Sequence, residues 1–97
     1  MAYSYRLDII TPEDIYFSGD VVSLLAPGVL GYFGILVNHA PFVTPLKTGR
    51  VELRMVNSTK KAFTIDAGGF FEVSYNQAKI LVEKITPLEL EPSEFRI

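Results

Sequence analysis

The sequence predicts an all-β fold, a two-sheet β-sandwich built from about ten short strands. Apolar and polar residues alternate with the period of two that is typical of half-buried strands. Turn-forming residues separate these segments at the short spacing of sandwich proteins. No segment shows sustained helical periodicity, so we expect no helix longer than a turn or two.

Three strands are predicted in the first part of the chain. Residues 5–9 alternate between apolar and polar side chains, and residues 11–14 end this strand with turn chemistry. Residues 15–17 are predicted as a short strand that stops at the polar segment 18–20. Residues 21–26 are apolar on both faces, so they are predicted as a separate inner strand.

The rest of the chain continues the pattern. A strand is predicted after the glycine-rich segment 27–41 begins its apolar run, and further strands are predicted at 42–44, 51–55, 61–66, 71–74 and 78–82. In the segment 51–55, Glu52 and Arg54 alternate with apolar residues, so both are expected on a solvated face, as are Lys60 and Lys61. Residues 57–60 are predicted as a hairpin turn.

The segment 27–41 interrupts this regularity with three glycines. It reads Pro-Gly-Val-Leu-Gly-Tyr-Phe-Gly-Ile-Leu-Val-Asn-His-Ala-Pro, with Gly28, Gly31 and Gly34 three residues apart. Glycine adopts positive φ at little cost, so this spacing predicts a shaped loop that projects between two strands. A phosphate-binding loop is excluded because the Lys-Ser/Thr pair and the following helix are missing.

Leu30, Tyr32 and Phe33 are expected at or near the tip of this loop. They could plug one end of the sandwich, since apolar residues are more often core. If Phe33 and Ile35 point inward, strand phase turns Tyr32 outward, where an aromatic side chain is a plausible contact residue.

The composition of the chain limits the functions that it can have. The 97 residues suggest one domain, residues 1–86, and a short tail, residues 87–97, with a helical turn expected after Pro92-Ser93. One histidine and no cysteine argue against a metal site and a Ser-His-Asp catalytic site. A net charge of −2 argues against nucleic-acid binding. The chain shows neither a signal peptide nor a transmembrane segment, and no enzymatic activity or cofactor is expected.

Four segments resemble one known family. They are 7–12, 17–19, 27–41 and 66–73, and the second glycine-rich one, Gly-Gly-Phe-Phe-Glu-Val, follows Asp66-Ala67. The chain is similar to the N-terminal β-sandwich of the epsilon subunit of bacterial and plastid ATP synthase, which is the delta subunit in mitochondria. Asn38 stands where the family usually has glycine, and asparagine also tolerates left-handed backbone.

The resemblance implies a non-catalytic rotor subunit that docks the gamma subunit to the polar loops of the membrane c-ring. It maps Thr11, His39 and Thr44 to the gamma interface. His39 is equally consistent with a turn residue whose ring bonds local backbone, and the two threonines with ordinary strand positions.

The resemblance maps Leu30, Tyr32 and Phe33 to the c-ring, with Tyr32 at a position that is often acidic in the family. It places the protein peripherally on the cytoplasmic side of a bacterial membrane or on a plastid thylakoid, attached only through the complex. The family's C-terminal helical hairpin, which can inhibit ATP hydrolysis, has no counterpart here, and residues 89–97 do not match its nucleotide-binding motif. The alternative is a stand-alone β-sandwich module that binds a ligand or a peptide.

Overall fold

A computed structural model describes residues 3–66 and 68–97. In this part of the chain the only helix is a single 3₁₀ turn, so the predicted all-β fold is confirmed. The strands are β1 (Tyr5–Ile10), β2 (Ile15–Gly28), β3 (Gly31–Leu36), β4 (Phe42–Leu46), β5 (Gly49–Met55), β6 (Lys60–Ile65), β7 (Gly69–Ser74), β8 (Gln77–Val82) and β9 (Ile85–Leu88), and the 3₁₀ turn is Pro92–Glu94.

The strands form two layers that share β2. The first layer has the order β2–β1–β8–β7–β4, in which β1 and β8 are parallel and the other neighbours are antiparallel. The second layer has the order β3–β2–β5–β6–β9 and is antiparallel throughout. Because β2 pairs with β1 in one layer and with β3 and β5 in the other, hydrogen bonding is continuous between the layers.

The long strand β2 differs from the prediction of two strands separated at 18–20. These polar residues continue the ladder, with Ser18 paired to Asp8 and Asp20 paired to Arg6. The Arg6 side chain also donates to the Ser18 hydroxyl at 2.6 Å. Polar side chains therefore do not end the strand, because β1 supplies them with partners on the exposed face. The register shifts between Val21 and Ser23, where β2 passes from one layer to the other.

Several turns follow from local chemistry. The β7–β8 hairpin turns at Tyr75 and Asn76, whose φ values of 50° and 58° suit a two-residue turn of the primed type. The turn predicted at 57–60 lies at 56–59, since Lys60 already begins β6, and Ser58 in it has a φ of 72°. Asn38 has a φ of 65°, the left-handed conformation that the sequence predicts.

One apolar core lies between the layers and receives the inward face of every strand from β1 to β8. Its fully or almost fully buried side chains are Tyr5, Leu7, Ile9, Val21, Leu24, Ala26, Ile35, Leu46, Val51, Leu53, Phe63, Ile65, Phe71, Val73, Ala78, Ile80 and Val82. The alternation of β1, β7 and β8 is therefore as predicted, with one face in the core and one outside.

The tail, residues 87–97, packs against the second layer. β9 pairs with β6 from Ile85 to Leu88, so the last strand continues past residue 86 into the tail. The helical turn expected after Pro92-Ser93 is confirmed as Pro92–Glu94. The Phe95 ring then lies under the Lys60 ammonium, 5.6 Å from it.

Candidate docking surfaces

The segment 27–36 forms the β2–β3 hairpin. Gly28 pairs with Gly31, which leaves Val29 and Leu30 as a two-residue tip, called here the hairpin tip. Val29 is 48% exposed and Leu30 is 99% exposed. Leu30 is the most exposed apolar side chain of the hairpin, followed by Leu36 at 67%. The sequence had not singled out Val29 as a residue of the tip.

The glycine spacing has a different origin from the one predicted. Of the three glycines, only Gly31 has a positive φ, 134°. Gly28 is extended, but a Cβ there would lie 2.9 Å from the Gly31 carbonyl oxygen and 3.1 Å from the Phe33 ring. The expectation of repeated positive φ is therefore wrong, because Gly28 serves close packing within the hairpin.

The predicted phase of β3 is confirmed. The Phe33 ring packs against the rings of Phe42 and Phe71, with centroid distances of 5.3 and 5.1 Å. Tyr32 points to the opposite face and is 41% exposed. Leu30 and Tyr32 therefore reach the surface of the hairpin, whereas Phe33 supports it from the core side.

The hairpin is held at its base by β4 and the residue after it. The Val29 backbone N–H donates to the Pro45 carbonyl at 3.2 Å, and the Lys47 N–H donates to the Pro27 carbonyl at 2.9 Å. These bonds fix the hairpin tip beside Pro45. The tip is thus a rigid projection of the sandwich rather than an isolated loop.

An apolar row crosses the outer face of the first layer. Ile10 pairs with Leu81, Leu81 with Phe70, and Phe70 with Pro45, so these four side chains stand side by side on four neighbouring strands. Phe70 is 54% exposed and Leu81 is 41% exposed. The alternation of β7 and β8 could have revealed both, since their neighbours Phe71 and Ile80 face the core.

The apolar row and the hairpin tip adjoin. Pro45 ends the row, and its carbonyl oxygen binds the Val29 N–H at the base of the tip. The next row of the same face is largely charged, with Asp8, Lys79 and Glu72 in register. Exposed apolar residues therefore run from Leu81 to Leu30 along one border of the molecule.

The three residues mapped to the gamma interface lie around this face without meeting each other. Thr11 follows Ile10 and lines a shallow groove that also contains Phe70 and Leu81. Thr44 pairs with the buried Phe71, so its half-buried side chain lies on the inner side of β4, a strand that also pairs with β2 at Leu46.

His39 precedes β4, at the end of that strand opposite to Pro45. Its Nδ1 lies 2.6 Å from the Ala40 carbonyl oxygen, and its ring packs against Phe42 at 5.9 Å. The local backbone bond of a turn histidine is thus present. Asn38, beside it, exchanges hydrogen bonds with the Asn76 side chain and ties this loop to the β7–β8 turn.

Glu52 is fully buried, so the prediction of a solvated side chain there is wrong. Its register is as predicted, on the outer face of β5, but the tail covers this face. Oε1 accepts hydrogen bonds from the backbone N–H groups of Arg96 at 2.7 Å and Ile97 at 3.1 Å. Oε2 lies 2.9 Å from Arg50 Nε in an ion pair, although it makes no directed hydrogen bond.

The remaining chemistry of the described residues is sparse. Within 3–66 and 68–97, no three histidine, aspartate or glutamate side chains are grouped as a metal ion would require. In the same part of the chain, no helix is long and apolar enough to cross a membrane.

The fold places the chain among small all-β sandwich domains, here with an open apolar sheet face and a projecting hairpin. It belongs to the delta/epsilon chain family of ATP synthase, because residues 4–88 match the family profile described as "ATP synthase, Delta/Epsilon chain, beta-sandwich domain". The resemblance carried by the four sequence segments is therefore confirmed.

Individual relatives agree with this assignment. The chain is 45% identical over 83 residues to the ATP synthase epsilon chain of Chlorobium limicola, in a match covering 86% of this chain and 93% of that one. It is 43% identical over 84 residues to the epsilon chain of Nitratiruptor sp., with coverages of 87% and 64%.

Two solved structures share the fold. A chain of the Euglena gracilis mitochondrial ATP synthase, in an assembly of OSCP, F1 and c-ring, superposes with a TM-score of 0.85 at 22% identity over 97% of this chain and 59% of that one. A chain from the central stalk and c-ring of the Tetrahymena thermophila mitochondrial enzyme gives 0.68 at 20% identity, over 94% and 69%. At these identities the likeness concerns the fold alone.

Proposed function

We propose that this protein is a non-catalytic rotor subunit of the proton-translocating ATP synthase, which docks the gamma subunit to the c-ring. The observation that carries the proposal is the continuous exposed apolar border formed by the apolar row and the hairpin tip. Such a border on a small domain is typical of an interaction surface. The two partners, the gamma subunit and the polar loops of the c-ring, are those that the family resemblance implies.

The gamma subunit is the proposed partner of the apolar row. Phe70 and Leu81 are large, exposed and adjacent, and they can supply the apolar centre that interfaces need. Thr11 lines the same groove, whereas the side chain of Thr44 lies on the inner side of β4, on the face opposite to Pro45. The charged row of Asp8, Lys79 and Glu72 then borders the interface with polar groups that can set its register.

The polar loops of the c-ring are the proposed partner of the hairpin tip. Leu30 is almost completely exposed, and the bonds from Val29 and Lys47 keep the tip from folding back. A preorganised projection loses little conformational entropy on docking. The Tyr32 hydroxyl accepts a hydrogen bond from the Arg50 N–H, and as a donor it can also bind a polar atom of the c-ring loops.

The proposed mechanism is mechanical. A sandwich whose two layers share β2 is stiff, so a force applied at the hairpin tip is transmitted to the apolar row through Pro45. No bond is made or broken in this subunit. Its contribution to ATP synthesis is the coupling of ring rotation to the central shaft, and its membrane association is indirect, through the complex.

The alternative of a stand-alone ligand-binding module is less well supported. Such modules usually display several aromatic side chains in a row on one sheet face. In the described part of the chain the exposed aromatic residues lie in the N-terminal segment, a hairpin, a sheet face and a turn; they are Tyr3, Tyr32, Phe70 and Tyr75. The proposed rotor role needs no such row.

Co-purification with the gamma subunit of the same organism tests the proposal. We expect a stable complex with the wild-type chain and at least about a tenfold loss of affinity for Phe70→Ala, because truncating a central anchor often costs 2 kcal/mol or more. Val56→Ala is the matched control, since Val56 is 60% exposed but lies at the β5–β6 turn. Equal gamma affinity for all three chains, or no complex with any, would contradict the proposed interface.

A further inference from the structure

Glu52 holds the tail by an arrangement that is costly to undo. A carboxylate without solvent exposure needs charge or hydrogen-bond partners, and two of its donors are the backbone N–H groups of Arg96 and Ile97. Arg50, the third partner, ion-pairs with it from the same strand. Release of the tail would remove both N–H donors and leave Glu52 with Arg50 alone.

The same tail segment reaches the hairpin. The Arg96 guanidinium lies over the Tyr32 ring at 5.3 Å, within cation–π range. The Tyr32 hydroxyl accepts a hydrogen bond from the Arg50 backbone N–H at 3.0 Å. The contacts thus form a closed circuit of four residues, Glu52, Arg96, Tyr32 and Arg50, which joins β5, the tail and β3.

The circuit fits closely around Gly49. A Cβ at Gly49 would lie 2.8 Å from the Tyr32 hydroxyl and 2.7 Å from the Pro27 Cβ. Tyr32 therefore occupies space that any larger residue at position 49 would fill. Tyr32 pairs with Pro27 and lies two residues from Leu30. Its side chain is therefore well placed to fix the orientation of the hairpin tip.

We propose that Glu52 is a positioning residue for the hairpin tip, acting through the tail and Arg96 on Tyr32. This inference rests on the proposed function, in which the tip docks on the c-ring. Binding of the c-ring to the hairpin in this conformation should also stabilise the contact between the tail and Glu52. By thermodynamic linkage, displacement of the tail should weaken binding of the hairpin tip to the c-ring. The residues that position the tip then all belong to the second layer and the tail. Displacement of the tail should therefore leave the apolar row on the first layer unchanged.

Amide hydrogen exchange on the free full chain tests the positioning without any partner. In Arg96→Ala, which keeps the backbone donors to Glu52, we expect the Arg50 amide to exchange about tenfold faster, because its acceptor Tyr32 is no longer held. Arg96→Lys is the matched control, because it keeps the positive charge but lacks the planar guanidinium that stacks on the Tyr32 ring. Core amides of β7 and β8 should stay unchanged in both variants.

Glu52 itself is tested by a pair of substitutions. Glu52→Ala should speed exchange at Arg96, Ile97 and Arg50 together, whereas Glu52→Gln should largely restore protection, since an amide oxygen can accept the same two N–H groups. If Glu52→Ala does not fold, Glu52→Gln still reports on the tail contact, and an unchanged Arg50 amide in Arg96→Ala overturns the proposal, because Glu52 then has no route to Tyr32. Faster exchange at Arg96 and Ile97 with an unchanged Arg50 amide would overturn the proposal.

Docking in the assembled enzyme provides the second measurement. Cross-linking of the hairpin tip to the c-ring should fall severalfold in Arg96→Ala and recover partly in Arg96→Lys, with gamma binding unchanged. Equal tip cross-linking in wild type and Arg96→Ala would refute the positioning role. If the wild-type tip does not cross-link to the c-ring at all, the proposed function fails, while the exchange data still decide whether Glu52 positions Tyr32.

Discussion

The hydroxyl of Tyr5 donates a hydrogen bond of 2.8 Å to the carbonyl oxygen of Ile35, thirty residues away and on the other layer of the sandwich. Both residues are buried, so the bond joins β1 to β3 inside an apolar core. The Ile35 carbonyl oxygen therefore accepts a hydrogen bond from a side chain of the other layer, although Ile35 belongs to the strand paired with β2. This buried contact adds to the bonds at the base of the hairpin and ties β3 to the layer that bears the apolar row.

Removal of this hydroxyl should destabilise the fold. We expect Tyr5→Phe to lower the free energy of unfolding by about 1 kcal/mol, since a buried hydrogen bond between the two layers is lost. Urea denaturation followed by circular dichroism measures the change. An unchanged midpoint would show that the bond contributes nothing to stability.

Burial raises the pKa of Tyr5, which gives a pH dependence with a defined sign. Because the folded state keeps the proton more tightly than the unfolded chain, the stabilisation is complete below about pH 10, the ordinary tyrosine pKa, and is lost as the pH rises toward the raised value. Unfolding measured near pH 8 and near pH 11 should show a larger alkaline loss in wild type than in Tyr5→Phe. Equal losses would contradict this assignment.

Gly69 and Gly34 form a matched pair of strand glycines. A Cβ at Gly69 would lie only 1.9 Å from the Leu81 carbonyl oxygen, so Gly69→Ala must open the β7–β8 ladder and should cost about 3 kcal/mol. At Gly34 the nearest atom would be 3.7 Å away, and Gly34→Ala should change stability by about 0.5 kcal/mol or less. Thermal unfolding of both variants checks the difference. Comparable stability in the two would show that β7 and β8 yield easily at this point.

In the proposed function Tyr32 brings an aromatic ring, and no charge, to the contact with the c-ring, which should make this docking less sensitive to salt. Exposed ion pairs weaken as ionic strength rises, whereas contacts of an aromatic ring do not. We expect Tyr32→Glu to introduce a salt dependence that the wild type lacks, measured as binding to c-rings at low and high salt. A steep salt dependence of the wild type would indicate that other charges dominate this contact.

His39 separates two hypotheses that the sequence leaves open. If its ring contacts gamma, His39→Ala should weaken gamma binding by about tenfold or more, as for a desolvated contact. If it serves only the turn through its bond to Ala40, gamma affinity should stay within about threefold while stability falls slightly. Titration of gamma with both chains distinguishes the two outcomes.

Much of the fold could be predicted because the signals are local. Alternation in β1, β7 and β8 assigns the inward residues, and the left-handed tolerance of asparagine predicts the turn at Asn38. The phase of Tyr32 and Phe33 follows from the same period of two. The exposure of Phe70 and Leu81 could have been predicted from the same alternation, because each has a core residue next to it in the sequence.

Features that depend on distant parts of the chain could not be predicted. Glu52 alternates like a solvated residue, and only the return of the tail, 44 residues later, buries it. The continuity of β2 through residues 18–20 depends on partners in β1. Nothing in the sequence indicates that Gly28 is needed for close packing against Phe33 and not for a positive φ.

Disulfide trapping in the assembled enzyme tests the central claim most directly. The chain has no cysteine, so Leu30→Cys introduces a unique thiol at the almost fully exposed hairpin tip. Mild oxidation should join it to a cysteine in the polar loop of the c-subunit and not to gamma, whereas Phe70→Cys should join gamma and not c. Cross-linking of Phe70→Cys to c, with Leu30→Cys joined to gamma or to neither, would contradict the proposed orientation of the subunit between shaft and ring.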